Sequence, residues 1–129
     1  MFKTLNLFQM AHAMATHAGQ RQALVAENMA HADTPGYRAR DLPPFADTYK
    51  NPSSSGAAKA TRDGHLFGQS AGLDPRAMET RRAEAPNGNS VTIEEQMMKA
   101  VEVKRQHDRA MAIYKSSLTI LRTSLGRQS

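Results

Sequence analysis

Between Ile93 and Leu125 the side chains Ile93, Met97, Ala100, Lys104, His107, Met111, Tyr114, Leu118, Leu121 and Leu125 stand at alternating steps of four and three. Only a helix brings such positions into one line, and an unbroken 3.5-residue spacing is the seam of a coiled coil. Lys104 and His107 read as polar residues that set register within the seam. A neighbouring row, Val103, Ala110, Ile113 and Ile120, widens the apolar face. Thr92 and Glu95 have the spacing of a capping box. Glu94 and Glu95 near the start, and Arg122 and Arg127 near the end, suit the helix dipole, and Gly126 is a natural terminator. At ~1.5 Å per residue, a helix over residues 92–126 is about 50 Å long. Such a rod cannot hide inside a compact domain of this size, so it needs partners.

A second, quieter rhythm occupies the N-terminal segment. Phe8, Ala11, Ala15, Ala18, Gln22, Val25 and Met29 keep the same four-three steps, with Leu5, Met14 and Leu24 alongside, and no proline interrupts residues 1–34. Small side chains permit close helix approach but bury little area each, at ~25 cal/mol per Å². This helix is therefore expected to be poorly formed in an isolated monomer and to be ordered by neighbouring chains.

The middle is different in kind. Residues 38–90 hold all but one of the six prolines and most of the eight glycines. The stretch NPSSSGAAKATRDG at 51–64 has no periodicity, and only short strand-like pieces near Gly64–Gln69 are suggested. The expected fold is mainly α. Long N-terminal and C-terminal helices pair as a coiled coil, joined by an extended, loop-rich middle with little regular structure. The expected division is 1–33 for the first helix, 34–90 for the turn and insert, and 91–129 for the second helix.

Composition narrows function. The net charge is +5, split as +2 over residues 1–40, zero over 41–90 and +3 over 91–129. The basic residues are dispersed along helices instead of gathered with stacking aromatics, so nucleic-acid binding is not expected. With no cysteine, neither a disulfide framework nor a thiolate metal site can form. His12, His17, His31, His65 and His107 are scattered and no pair has metal-ligand spacing, so no metal or cofactor is expected. No stretch approaches the ~20 apolar residues of a membrane span. The N-terminal segment contains AHA and AMA, which resemble cleavage sites, but Asn6, Gln9 and His12 break the apolar run that a cleaved signal peptide needs.

The stretch NMAHADTPGY, Asn28 to Tyr37, gathers polar side chains around a Pro-Gly pair. A helix running through Ala26–Ala32 must stop before Pro35. Thr34-Pro35-Gly36-Tyr37 then fits a type II turn, with Pro35 fixing φ and Gly36 supplying a positive φ. Asp33 and Thr34 can bond nearby backbone groups, and Tyr37 can pack on the helix end. A catalytic reading fails because His31 and Asp33, two apart on a helix, do not face each other. No nucleophile elbow or oxyanion hole accompanies them.

These residues carry a resemblance. Asn28-Met29-Ala30, then Ala32-Asp33-Thr34-Pro35-Gly36-Tyr37, is similar to the motif of bacterial flagellar rod, hook and related axial proteins. The following Arg38-Ala39-Arg40-Asp41 and Phe45 resemble most closely the proximal rod members. Asn87-Gly88-Asn89-Ser90-Val91 and the ending Leu121-Arg122-Thr123-Ser124-Leu125 agree. The resemblance implies a non-enzymatic structural subunit of the basal-body rod. It implies export through the flagellar type III channel without a cleaved signal, and assembly in the periplasm into a helical tube that transmits torque. Implied partners are copies of itself, other rod proteins of the FlgC and FlgF type, the rod–ring junction protein FliE and export-gate subunits. The expected assembly surface is Leu5, Phe8, Ala11, Ala15, Val25, Met29, Ile93, Met97, Met111, Tyr114, Leu118, Leu121 and Leu125. The rival reading is a soluble coiled-coil adaptor or chaperone-like protein that binds one partner helix.

Overall fold

The computed structural model describes residues 2–50, 78–80 and 85–126. The stretch at 51–64 and the strand-like pieces near Gly64–Gln69 lie outside these residues. Two long helices dominate, α1 (Phe2–Ala30) and α3 (Ile93–Leu125). The segment after α1 is more regular than expected: it contributes a two-residue strand β1 (Arg40–Asp41) and a short helix α2 (Phe45–Lys50). β1 pairs antiparallel with β2 (Met78–Glu79), Arg40 opposite Glu79 and Asp41 opposite Met78.

The long helices run antiparallel. Asn28 meets Gln96, Arg21 meets Glu102, His17 meets Gln106, and Phe8 meets Tyr114 edge-on with ring centroids 5.3 Å apart. In α1 the buried positions Ala11, Ala18 and Val25 recur every seven residues, with His17 and Leu24 beside them. In α3 the buried positions Gln96, Val103, Ala110 and Ser117 also recur every seven.

This row in α3 differs from the seam read from the apolar spacing. Ile93, Met97, Lys104, His107, Tyr114 and Leu125 are exposed, and Ala100, Met111, Leu118 and Leu121 are half-buried. Lys104 and His107 therefore do not set register between the two helices. The inner row contains the polar residues Gln96, Gln106 and Ser117, which a search for apolar spacing passes over. In α1 the expected row is nearer the mark. Ala11, Ala18 and Val25 are buried, Phe8 and Ala15 are half-buried, and Leu5, Gln22 and Met29 are exposed.

The helix ends have identifiable causes. α1 stops at Ala30, short of Ala32, and continues as tight turns in which Ala32 N–H donates to the Met29 carbonyl and Thr34 N–H to the His31 carbonyl. The carbonyls of His31, Ala32 and Thr34 then accept from the Asn89 amide at 2.8–2.9 Å. Thr92 is the N-cap of α3 in extended backbone, but its side chain makes no capping bond; its carbonyl accepts from Gln96 N–H. Gly126 closes α3 with a right-handed φ of −75°, so a left-handed glycine stop is not what ends it.

Candidate functional site

The turn motif is built where the C-terminal end of α1 meets the start of α3. Gly36 has φ +74° and Tyr37 N–H donates to the Thr34 carbonyl, the geometry of a turn that needs glycine at its third position. Gly88 has φ +79°, and a Cβ placed there would sit 3.4 Å from Gly36 Cα. The two loops thus touch backbone to backbone. Gly36 N–H donates to the Asn87 carbonyl, Ser90 N–H to the Tyr37 carbonyl, and Ala39 N–H to Ser90 Oγ at 2.8 Å. Tyr37 stacks on His31 with centroids 4.5 Å apart, and Thr34 Oγ1 lies 3.2 Å from His31 Nδ1. His31 is thereby a packing residue of the turn.

Asn28 is the hub. It is 1% exposed. Its Nδ2 donates to the Arg40 carbonyl at 2.7 Å and to Gln96 Oε1 at 3.1 Å. Its Oδ1 accepts from Arg40 N–H at 3.0 Å and from the Tyr37 hydroxyl at 3.3 Å. Both donors and both lone pairs of the amide are therefore used. The side chain satisfies one edge of β1 as a neighbouring strand would, and it locks α1 to α3. Buried polar groups so completely paired specify one arrangement of the elements around them.

Two turns back along α1, Arg21 forms a two-pronged pair with Asp41, Nε to Oδ1 at 2.9 Å and an Nη to Oδ2 at 3.2 Å. Arg21 also reaches Glu102 of α3. Lys99 of α3 bridges Asp41 and Glu95, each at 3.1 Å. Burial works against ionising Asp41, but the hydrogen bonds and charge of Arg21, and then of Lys99, outweigh it and hold the carboxyl below its usual 3.8. Beyond this cluster His17 is 1% exposed between Pro43, Phe45 and Gln106.

Asn28 and the turn residues Thr34, Pro35, Gly36 and Tyr37 come together with residues that apolar periodicity could not reveal: Gln96, Arg21, Asp41 and Lys99. Asp33 is exposed at the turn's edge. The outward residues form a different surface. Ile93, Met97, Val101, Tyr114, Ile120 and Leu125 each expose more than two-fifths of their area. Between the helices on this side lies a groove of about 460 Å³, lined by Ala18, Gly19, Gln22, Ala100, Val101, Val103, Lys104 and His107. Among the described residues no helix is long and apolar enough to cross a membrane, and no group of three His, Asp or Glu side chains is placed to hold a metal ion.

No family model matches the chain. A curated relative, the flagellar basal body rod protein FlgB of Agrobacterium fabrum, is 30% identical over 116 residues, spanning 87% of this chain and 87% of the relative. That span reaches well beyond the turn motif, so the likeness is one of whole chains: the protein belongs to the flagellar basal body rod protein family.

Proposed function

We propose that the chain is a structural, non-enzymatic subunit of the proximal rod of the flagellar basal body. In this reading it assembles through α1 and α3 into a helical tube that joins the membrane ring and export apparatus to the distal rod, and it transmits torque. The observation that carries the proposal is the outward row of α3. A helix whose inner row is already used within the chain still presents Ile93, Met97, Tyr114 and Leu125 to solvent. Exposed apolar surface organised along one helix face marks an interaction surface. Repeated contacts between unlike faces of identical subunits generate an open helical filament unless the rotation closes. The polar hub at Asn28 serves this role by holding the two helices at a fixed register, so that the outward row is presented as one rigid surface.

The partners in this reading are copies of the chain, other rod proteins of the FlgC and FlgF type, the rod–ring junction protein FliE and export-gate subunits. The subunit reaches the periplasmic rod through the flagellar type III system. Deleting the gene in the source organism is expected to abolish assembled flagella and motility, with restoration by the intact gene. Rotating flagella in the deletion strain would remove the proposal.

A further inference from the structure

We infer that His17 is an acid-sensitive latch: as the neutral ring it fastens residues 42–49 onto both long helices, and on gaining a proton it releases them. The geometry fixes which form is bound. The Pro43 carbonyl, 2.8 Å from Nε2, can only accept, so Nε2 carries the hydrogen. Nδ1 faces the Gln106 amide nitrogen at 2.9 Å, and that same nitrogen reaches toward the Met14 carbonyl at 3.4 Å. Nδ1 is therefore the acceptor, and the ring is neutral with every polar atom used. The Phe45 ring meets the imidazole edge-on at 5.6 Å, and Phe45 in turn packs on Tyr49 at 5.5 Å. One side chain of α1 thus holds the loop before α2, α2 itself and α3.

A second proton has nowhere suitable to go. It would place an N–H on Nδ1 against the Gln106 N–H, or force that amide to turn and give up the Met14 carbonyl. It would also put a full charge into a site closed to water. The charges that act on the ring are Arg21 of α1 and Asp41 of β1, and these are tied in turn to Glu102 and Lys99 of α3. Burial is the foremost cause holding the imidazole below its usual 6.5. Arg21 adds to it, while the Pro43 carbonyl and Asp41 oppose it. The folded state thus binds fewer protons than the unfolded chain. Stability from this contact is complete above 6.5 and is lost as pH falls below it.

The test is an NMR titration of the full chain, following the His17 ring together with amide hydrogen exchange. Between about pH 7.5 and pH 4.5, where an imidazole changes charge, His17 should titrate below 6.5. The Leu42, Asp47 and Thr48 amides should exchange roughly tenfold faster, corrected for intrinsic rates, while Val103 and Ala110 keep their protection. Gln106→Glu supplies an acceptor for the charged ring, so His17 should titrate higher in that variant and the acid-triggered loss of protection at residues 42–49 should shrink or vanish. His17→Phe should remove the pH dependence. Should that variant fail to fold, the wild-type and Gln106→Glu titrations still decide. A wild-type His17 that titrates at or above 6.5, wild-type protection at residues 42–49 that does not follow its titration, or an undiminished acid release in Gln106→Glu, would overturn the inference.

Discussion

Asn28 illustrates how one side chain can decide the relation between two elements. Replacing it with alanine strands the Arg40 N–H and C=O and the Gln96 amide in a site closed to water. We expect Asn28→Ala to cost about 2–3 kcal/mol in urea unfolding, since an unpaired buried polar group loses its full solvation. Gly36 answers to a different constraint. Space around it is open, with nothing within 4 Å of an added Cβ, so any cost of substitution comes from φ +74° alone. Gly36→Val should destabilise by about 1–3 kcal/mol through backbone strain and should weaken assembly; unchanged stability and motility would show that the turn tolerates another conformation. Gly36 could be read directly from the sequence because Pro-Gly is a local signal. Asn28 could be placed in the motif but its task could not be read, because its partners Arg40 and Gln96 lie 12 and 68 residues away.

At the scale of elements, the existence of α1 and α3 was legible because long four-three patterns admit no other regular structure, whereas their antiparallel direction was not. The face that joins them was not. Apolar spacing favours the row containing Met97, Met111 and Leu118, whereas the contact within the chain uses Gln96, Val103, Gln106, Ala110 and Ser117. Two glutamines and a serine on that row conceal its periodicity from hydropathy, and their use becomes clear only when Asn28 and His17 stand opposite. β1 and α2 were missed for a related reason: two-residue pairing and a six-residue helix carry almost no local signal, and both depend on Asn28, Arg21 and His17. The ion-pair cluster gives this scale its own prediction. Asp41, held below its usual pKa, contributes stability that is present above 3.8 and is lost as pH falls through its lower folded value. Asp41→Asn should lower stability at neutral pH and flatten the acid side of the stability profile. An unchanged profile would mean that Arg21 and Lys99 are equally well solvated without it.

For the whole molecule, the proposed role assigns the inner row of α3 to folding and its outer row to assembly. Substituting an aspartate for Ala110, which has 0% exposure, should unfold the helix pair, because a charge would be buried at the contact. Substituting an aspartate for Met97, which is 58% exposed, should leave monomer helicity and thermal stability within about 0.5 kcal/mol of the parent while blocking incorporation into the rod. The chain has no cysteine, so single cysteines can be introduced without background. The most direct measurement is the labelling of Met97→Cys by a water-soluble thiol reagent, in the free chain and in isolated basal bodies. Arg109→Cys, exposed on the other side of α3, serves as reference. Protection of position 97 on assembly, against little change at position 109, is the expected result. Equal labelling of position 97 in the free and assembled states would contradict the role assigned to the outward row.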